Sequence, residues 1–547
     1  MKKWMAGLCL LGAFSAGAAG PSSPKGFAEA GRPNVVLIFA DDLDFDEIGT
    51  YDPAEYPTYT SAKNSGFENR GSWGYYPKPP STPNIDRIAG NGLKFTRFYV
   101  PITTCTPSRY CLLSGQRAGR SAAIQKEFKS TQTARVEFNA NLHPSEWNIA
   151  RALQSTGYKT GFIGKFHLIE GRDLEKLLPA GSMAVKDLKK VKEPVPDSVL
   201  ADLKTRYNIY CDHIRKNYGF DFVDGLYIQN TSQTGIPDIW RKPEGNMEWM
   251  TYNALRFIEQ NKDEPFFLEF APNIPHGMFG ANALQGANRR ATPAGLLDEH
   301  VGTQPSFEDI FKRIAEQGLD ASAAMPMYLD DGIGVILNKL KQLGLDENTL
   351  VIFTSDHQSR GKWTVYEAAH VPALAMWPGK IKPGRVTDQF CSTLDLAPTL
   401  LDLCGAPAPA ATEATLDGRS IKEVLLSEKA TLPDEPFLIE FGYAKAILYQ
   451  NWKYIVLRFP EDDPAMMKQI ARRSGERPDY RGKSHVTDAT LTVFPNMLVT
   501  EQLYDLNADP FEQNNRVGDE RAAAKIAEMR DYMSTAVKDL PNRFGEF

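Results

Sequence analysis

A cysteine, a proline, a small hydroxyl residue and an arginine lie close together in residues 105–109, a segment that leads into an apolar run. Proline fits the first turn of a helix, because its missing N–H has no partner there in any case. The pattern predicts that Cys105 lies just before a helix N-terminus, where the backbone dipole favours anions and Arg109 adds positive charge. Such a place also suits thiol chemistry. Taken alone, a buried structural cysteine is an equally good interpretation.

Carboxylates follow two apolar segments elsewhere in the chain. Asp41 and Asp42 come directly after the run 34–40, which has the continuous apolar character of a strand buried on both faces of a parallel sheet. Asp356 follows a second such strand, predicted at 350–354. Ligands of open α/β sheets bind beyond the carboxyl ends of strands, and adjacent carboxylates repel each other unless a cation joins them. An isolated Asp-Asp pair would more simply be a solvated turn.

Basic side chains follow further predicted strands. Lys165 and His167 stand two residues apart after one strand, so on an extended segment they point to the same side. His276 follows a strand predicted at 265–270, and Lys362 comes shortly after the second carboxylate segment. A lone Lys-x-His is usually a surface pair, and His276 could equally be a turn histidine. Their order along the chain is what gives these residues weight.

These segments together resemble the type I sulfatases. Residues 105–115 resemble the family pattern C-x-P-S-R-x-x-x-x-[ST]-G without a mismatch. Residues 164–167 resemble Gly-Lys-Trp-His with phenylalanine in place of tryptophan, 355–357 resemble Ser-Asp-[His/Asn], and 361–367 resemble Gly-Lys-x-x-x-Tyr-Glu. Another departure is Met278, which stands where the family usually has proline after His-x. The resemblance covers nearly the whole chain after its first residues.

The resemblance implies that a maturation enzyme oxidises Cys105 to Cα-formylglycine, whose hydrated aldehyde is the nucleophile. It implies a histidine acid for the leaving alcohol, a second histidine as base, and fixed positive charge around the sulfate. The implied catalytic residues are Cys105, Arg109, Lys165, His167, His276 and Lys362.

The implied metal site is built from Asp41, Asp42, Cys105, Asp356 and His357. Carboxylate oxygens select a hard cation, and Ca²⁺ fits them better than zinc. Imidazole is an unusual calcium ligand, so His357 stays open between a metal ligand and a substrate contact.

The elements that must hold these residues are those of an α/β fold. The resemblance implies an alkaline-phosphatase-like sandwich with a large, mostly parallel central sheet flanked by helices, plus a small C-terminal α+β domain. We expect a catalytic domain at 30–428 and the small domain at 434–547. Apolar residues at helical spacing predict an amphipathic helix packed on the sheet, and they are Leu329, Ile333, Ile336, Leu340 and Leu343.

The composition is that of an ordinary globular chain, with 547 residues, 42% hydrophobic residues and a net charge of −6. Such a mild acidic balance argues against an electrostatic nucleic-acid binder. Residues 1–19 read as a signal peptide, with Lys2 and Lys3 before an apolar stretch too short to span a bilayer. We therefore expect an exported protein, periplasmic or secreted, without a membrane span.

The substrate class is less sharply defined than the chemistry. An aromatic-rich segment at 51–81 predicts a long loop that could contact sugar rings or simply pack on the domain. Together with export, it favours a sulfated glycan, although a small sulfated molecule fits the same motifs. A phosphonate monoester or phosphodiester hydrolase of the same fold remains an alternative, as does a non-catalytic glycan-binding relative.

Overall fold

A computed structural model of the protein describes residues 32–51, 56, 78–243, 245–276, 284–359, 361–458, 493–497 and 499–544. The expected signal peptide and most of the aromatic segment 51–81 lie outside these residues. The strands are β1 (Asn34–Ala40), β2 (Leu93–Phe95), β3 (Phe98–Tyr99), β4 (Lys159–Lys165), β5 (Phe222–Tyr227), β6 (Phe266–Ala271), β7 (Ala291–Thr292), β8 (Gly295–Leu296), β9 (Thr349–Ser355), β10 (Ala373–Met376), β11 (Arg385–Thr387), β12 (Cys391–Ser392), β13 (Phe437–Phe441), β14 (Ala444–Tyr449), β15 (Trp452–Leu457) and β16 (Glu501–Asp505).

The α-helices lie mostly between the strands of the larger sheet. They are α1 (Pro83–Gly90), α2 (Cys105–Ser114), α3 (Ala122–Glu127), α4 (Ile149–Ser155), α5 (Gly171–Lys176), α6 (Val185–Lys189), α7 (Asp197–Tyr218), α8 (Met247–Gln260), α9 (Phe307–Gln317), α10 (Ala324–Gln342), α11 (Leu396–Cys404), α12 (Lys422–Leu426) and α13 (Ala523–Lys538). None of those in the described ranges is long and apolar enough to cross a membrane.

The central sheet has eight strands in the order β11-β2-β10-β9-β1-β6-β4-β5. The five strands from β9 to β5 run parallel to one another, whereas β10 is antiparallel to both of its neighbours. Every residue of β1 is buried, as expected for a strand covered on both faces. The predicted amphipathic helix is α10, which packs with α1 and α8. The structure thus confirms a large, mostly parallel sheet flanked by helices.

The C-terminal part forms a separate antiparallel sheet in the order β13-β14-β15-β16. Helix α13 packs on β14 and β15. A second hydrophobic cluster fills the space between them, and each large aliphatic side chain fully buried there contributes roughly 1.5–3 kcal/mol. Its members include Leu438, Ile447, Val456, Leu503, Ile526, Met529 and Met533. The expected small C-terminal α+β unit is present, while its exact boundary stays a prediction.

The register of the central sheet brings the predicted functional segments to one edge. Ala40 at the end of β1 pairs with Ser355 at the end of β9, and Gly164 of β4 pairs with Ala271 of β6. The chain beyond β6 continues alongside β1, since the Asp41 N–H donates at 3.3 Å to the carbonyl of Ile274, three residues past β6. The carboxyl ends of β1, β4, β6 and β9 therefore lie at the same edge of the sheet.

Candidate active site

Helix α2 carries the nucleophile candidate into this edge. The helix begins at Cys105 itself, with Thr104 in an extended conformation before it, so Cys105 lies one residue further inside than predicted. Pro107 stands in the first turn, where its missing N–H costs nothing. The Ser108 hydroxyl donates to the Asp356 carbonyl oxygen at 2.6 Å. This bond fastens the first turn of α2 to the end of β9.

Arg109 and Lys165 both bind Asp41. The Arg109 guanidinium donates to Asp41 Oδ1 at 3.0 Å and to Asp356 Oδ2 at 3.1 Å, and also to the Lys165 carbonyl at 2.9 Å. The Lys165 ammonium lies 2.7 Å from Asp41 Oδ2. Burial would raise the pKa of Asp41, but Lys165 and Arg109 hold it below its usual value. Asp41 is therefore a carboxylate that ties the ends of β1, β4 and α2 together.

Asp42 turns away from its neighbour to face a different set of partners. Its φ of 63° places it in the left-handed region, which is uncommon for a non-glycine residue. Lys362 Nζ lies 2.8 and 2.9 Å from its two carboxylate oxygens, and His276 Nε2 is 3.7 Å from Oδ2. Its N–H donates to Asp356 Oδ1 at 3.0 Å. Two adjacent carboxylates thus line two sides of one site.

Four buried residues form a group with metal-ligating geometry, namely Asp42, Cys105, Asp356 and His357, whose ligand atoms lie within 4.8 Å of one another. His357 Nδ1 lies 2.9 Å from the Gln358 carbonyl oxygen. His357 Nε2 is buried without a hydrogen-bond partner among the described residues and lies 3.3 Å from Asp42 Oδ1 and 3.6 Å from Asp356 Oδ1. An unpartnered nitrogen between two carboxylates is a donor set that a cation would satisfy.

The pKa values in this group reflect the same crowding. Burial raises the pKa of Asp356 to about 7, and the nearby Asp41 carboxylate adds to this effect. Burial lowers the pKa of His357, but Asp356 and Asp42 outweigh it and raise the value to about 9. The residues present fit a hard cation bound by Asp42, Asp356 and His357. A metal-binding role for Asp41 stays a prediction, because Asp41 is not among the four residues whose ligand atoms lie within 4.8 Å of one another.

His167 and His276 differ in their charge environment. Burial, with the nearby Lys165 charge, lowers the pKa of His167 to about 4. Burial also lowers the pKa of His276, but the Asp42 carboxylate outweighs it and the net shift is upward. His167 is therefore neutral at neutral pH, whereas His276 takes up a proton more readily than an ordinary histidine. Such a pair provides a base and an acid in one site.

Lys165 and His167 reach the site by a route that differs from the prediction of an extended segment. Strand β4 ends at Lys165, and His167 has a left-handed φ of 53°. The preceding Gly164 has φ of 109°, and a Cβ atom there would lie 2.0 Å from the Ala271 carbonyl oxygen. Only glycine allows β4 and β6 to approach so closely at this point. The turn, rather than strand periodicity, positions His167.

The other five predicted catalytic residues lie around Cys105. Its Sγ lies 3.5 Å from Lys362 Nζ and 4.0 Å from Asp42 Oδ1. Burial would raise the thiol pKa, but Lys165 and Lys362 lower it, and His167 and His276 add hydrogen bonds that act in the same direction. The net pKa is well below that of a free thiol. The arrangement can stabilise an anion at position 105 and a second anion bound beside it.

The roles of two residues near the site were not predicted. Ser108 was part of the recognised motif, but its bond to β9 depends on tertiary structure. Glu269 of β6 is buried, and burial raises its pKa to about 8 although Arg109 opposes that rise. A single carboxylate within the apolar strand 265–270 was the signal that could have revealed it.

Comparisons with known proteins agree with this geometry. The family model described as Sulfatase matches residues 33–406. Human arylsulfatase A is 31% identical over 73% of this chain and 69% of its own length. An N-acetylgalactosamine-6-O-sulfatase of Bacteroides thetaiotaomicron is 26% identical over 88% of this chain and 89% of its own length.

Solved structures show the same fold. A sulfatase from Pseudoalteromonas is 19% identical with a TM-score of 0.55, covering 94% of this chain and 92% of its own. Another structure, recorded in complex with its substrate D-glucosamine-2-N,6-O-disulfate, is 18% identical with a TM-score of 0.54 and covers 94% of this chain and all of its own. These neighbours are consistent with the predicted alkaline-phosphatase-like fold.

Proposed function

We propose that this chain, which belongs to the sulfatase family and is a sulfuric ester hydrolase, is exported and removes sulfate from carbohydrates by means of a formylglycine at position 105. The observation that carries the proposal is the cluster of buried cations at the open edge of the parallel sheet, where Lys362 lies 3.5 Å from Cys105 Sγ and both Arg109 and Lys165 bind Asp41. A sulfate ester brings negative charge to this place, and hydrolysis develops more on the departing oxygen. Preorganised cations stabilise both charges.

The residues around Cys105 divide the reaction between them. Formylglycine at this position would supply, as its hydrated aldehyde, one hydroxyl to attack sulfur and a second whose deprotonation expels the sulfate. Lys362 and Lys165 neutralise the sulfate oxygens, and Arg109 holds Asp41 and Asp356 in place. His276, beside Asp42, donates a proton to the leaving alcohol, a step worth roughly 10² to 10⁴ in rate. Neutral His167 accepts the proton of the remaining hydroxyl.

Calcium is the cation that we propose for the group of Asp42, Asp356 and His357. Two carboxylates favour a hard ion. The His357 imidazole would bind the ion through Nε2, because its other nitrogen, Nδ1, lies against the Gln358 carbonyl oxygen. When bound, calcium would supply fixed positive charge beside the sulfate and position 105. Removal of the ion by a chelator tests this proposal.

Sulfated carbohydrates are proposed as substrates because the relatives point to them. One relative is named for N-acetylgalactosamine-6-O-sulfate, and one structural neighbour holds a sulfated glucosamine. Export rests on the basic and apolar pattern of residues 1–19. It would place the enzyme in the periplasm or outside the cell, where such glycans occur.

The test is to co-express the protein with a formylglycine-generating enzyme and to measure sulfate and phosphate released from sulfated glycans, aryl sulfates and phosphonates. The aldehyde at position 105 is verified by mass spectrometry, and Cys105→Ala serves as the control. Sulfate release that the control lacks is the expected result. Dominant turnover of phosphonates or phosphodiesters would instead favour a hydrolase of those esters, and no release from any substrate would favour a glycan-binding relative.

A further inference from the structure

Two half-buried aromatic residues, Phe138 and Trp363, lie side by side next to the groups that surround Cys105. Their ring centroids are 4.8 Å apart with the planes at 63°. The Phe138 ring is 6.0 Å from the His167 ring, and Lys362 Nζ is 5.7 Å from the Trp363 ring centroid. The pair therefore borders the charged site on the side formed by His167 and Lys362.

The backbone of Trp363 is held in a strained conformation. Its φ of 76° lies in the left-handed region, where a bulky residue is a genuine outlier. Its N–H donates to the Thr103 carbonyl at 3.5 Å, and the Thr103 hydroxyl donates in turn to the Thr364 carbonyl. The segment that leads into Cys105 thus fixes the position of the tryptophan. Strain of this kind concentrates at functional sites.

The Trp363 ring also packs against a buried residue of the C-terminal sheet. The Trp363 ring packs edge-on against Phe441 at 6.2 Å. Phe441 belongs to β13 and is fully buried. A half-buried ring that packs against both Phe138 and Phe441 is a rigid surface, not a loose side chain. It contributes contact area at little cost in conformational entropy.

We propose that Phe138 and Trp363 form the aromatic wall of a subsite that packs against the sugar ring carrying the sulfate. The inference rests on the proposed function, because it needs a sulfate held beside Lys362. An ester sulfate is joined to its sugar carbon through a single oxygen, so the ring of a bound substrate lies immediately beyond the sulfate-binding cations. Ligand sites combine such apolar, aromatic walls with a few charged groups that fix orientation.

The experiment compares a cyclic with an acyclic substrate. Trp363→Gly removes the ring at a position whose φ glycine adopts readily, Trp363→Phe keeps an aromatic ring, and Phe138→Leu removes the second ring. Each variant is assayed for kcat and KM with a panel of monosaccharide O-sulfates and with 2-methoxyethyl sulfate, which has no ring. Tyr252→Leu is the matched control, because Tyr252 is 41% exposed and stacks near Arg256 on α8.

We expect kcat/KM for the sugar sulfates to fall about tenfold in Trp363→Gly and Phe138→Leu, mainly through KM, since aromatic contacts are worth roughly that much. Trp363→Phe should recover most of the loss, and the acyclic sulfate should change less than about twofold throughout. Equal losses on cyclic and acyclic sulfates would mean a structural role and would overturn the inference. Unchanged values for the sugar sulfates would overturn it as well.

A binding measurement separates this inference from the proposed function. Titration calorimetry measures the affinity of Cys105→Ala for the same monosaccharide sulfates, with and without Trp363→Gly. If the parent enzyme carries verified formylglycine but releases no sulfate, the proposed function fails, and weaker sugar binding in the double variant still supports the aromatic wall. If the parent releases sulfate but Trp363→Gly changes neither affinity nor KM, the wall alone is refuted.

Discussion

Two buried lysine–carboxylate pairs in this molecule have nearly the same geometry. Lys165 lies 2.7 Å from Asp41 at the edge of the central sheet, and Lys445 lies 2.6 Å from Glu440 across β14 and β13. None of these four side chains is more than 6% exposed. Distance and burial therefore do not distinguish a catalytic pair from a structural one.

The surroundings of the two pairs do differ. Lys445 and Glu440 are cross-strand neighbours, and the second Glu440 oxygen accepts the Gly119 N–H at 3.4 Å, so both oxygens of this carboxylate are satisfied. Both oxygens of Asp41 are also satisfied, by Lys165 and Arg109, but its neighbour Asp42 has a left-handed φ. Asp42 also lies 3.3 Å from His357 Nε2, a buried nitrogen without a hydrogen-bond partner among the described residues. Unmet charge and backbone strain are costs that a protein carries where it functions. They identify the site better than any single ion pair.

The strongest test of this comparison removes the nucleophile and keeps the charges. Cys105→Ala should lower sulfate release by at least about 10⁴-fold, because no hydrated aldehyde can form. The thermal unfolding midpoint should change little, because the bonds of Asp41 to Lys165 and Arg109 remain. Both are measured on the purified variant. Residual turnover close to that of the parent would refute the proposed mechanism.

Removal of the cation comes next in expected effect. Dialysis against EDTA should lower activity by roughly 10³-fold, since a metal ion contributes several kcal/mol of charge stabilisation, and added Ca²⁺ should restore it. The unfolding midpoint should fall as well, because the close carboxylates Asp42 and Asp356 lose their shared partner. Full activity in protein that elemental analysis shows to be free of metal would contradict the calcium site.

Replacing each of the two lysines by methionine, in separate variants, tests the comparison directly. Lys165→Met should lower kcat/KM by about 10² or more while Asp41 keeps its bond to Arg109. Lys445→Met leaves Glu440 buried and uncompensated, so it should cost about 3–5 kcal/mol of unfolding free energy. Its kcat/KM per formylglycine-bearing molecule should stay within about twofold of the parent. A large activity loss in Lys445→Met at a temperature where it is folded would erase the distinction.

The pH dependence of stability provides the finest comparison. Burial raises the pKa of Glu269 to about 8, so the folded state keeps a proton that the unfolded state releases near its ordinary value, and stability falls as pH rises between the two. Burial opposes the shift of Glu440, but Lys445 lowers its pKa below the ordinary value, so its contribution is present above that value and lost as pH falls.

Glu269→Gln should therefore become more stable relative to the parent as pH rises towards 8. Glu440→Gln should show its greatest destabilisation at neutral pH and less in acid. Unfolding midpoints measured from pH 4 to 8 check both signs. Parallel curves for the two variants would show that the carboxylates are not in the opposite environments described here.

The sequence predicted which residues come together at this edge of the sheet far better than it predicted their mutual geometry. Residues 105–115 identified the family, and apolar runs located β1 and β9. Asp41 and Asp42 were predicted as equivalent metal ligands, yet they face different partners because the left-handed φ of Asp42 turns its side chain. Periodicity assumes a regular backbone, so it fails at a strained residue.

Long-range partners were equally beyond a sequence pattern. The short segment 93–99 is divided between two sheets, with β2 beside β10 and β3 beside β12. The hydrogen bond from Ser108 to Asp356 joins residues 248 positions apart. The Phe138–Trp363 contact likewise depends on tertiary packing. Such contacts are fixed by how elements stack, which residue type and spacing do not encode.

The depth of Cys105 has a consequence for timing during synthesis. Its residue is 1% exposed, and every residue of α2 is buried. Lys362, whose Nζ lies 3.5 Å from Cys105 Sγ, is synthesised 257 residues later. At translation rates of about 5–20 residues per second, the thiol stays uncovered by this lysine for roughly 10–50 s. An oxidising enzyme of the kind proposed for Cys105 would have to reach the thiol before folding buries it, and synthesis alone leaves it at least this interval.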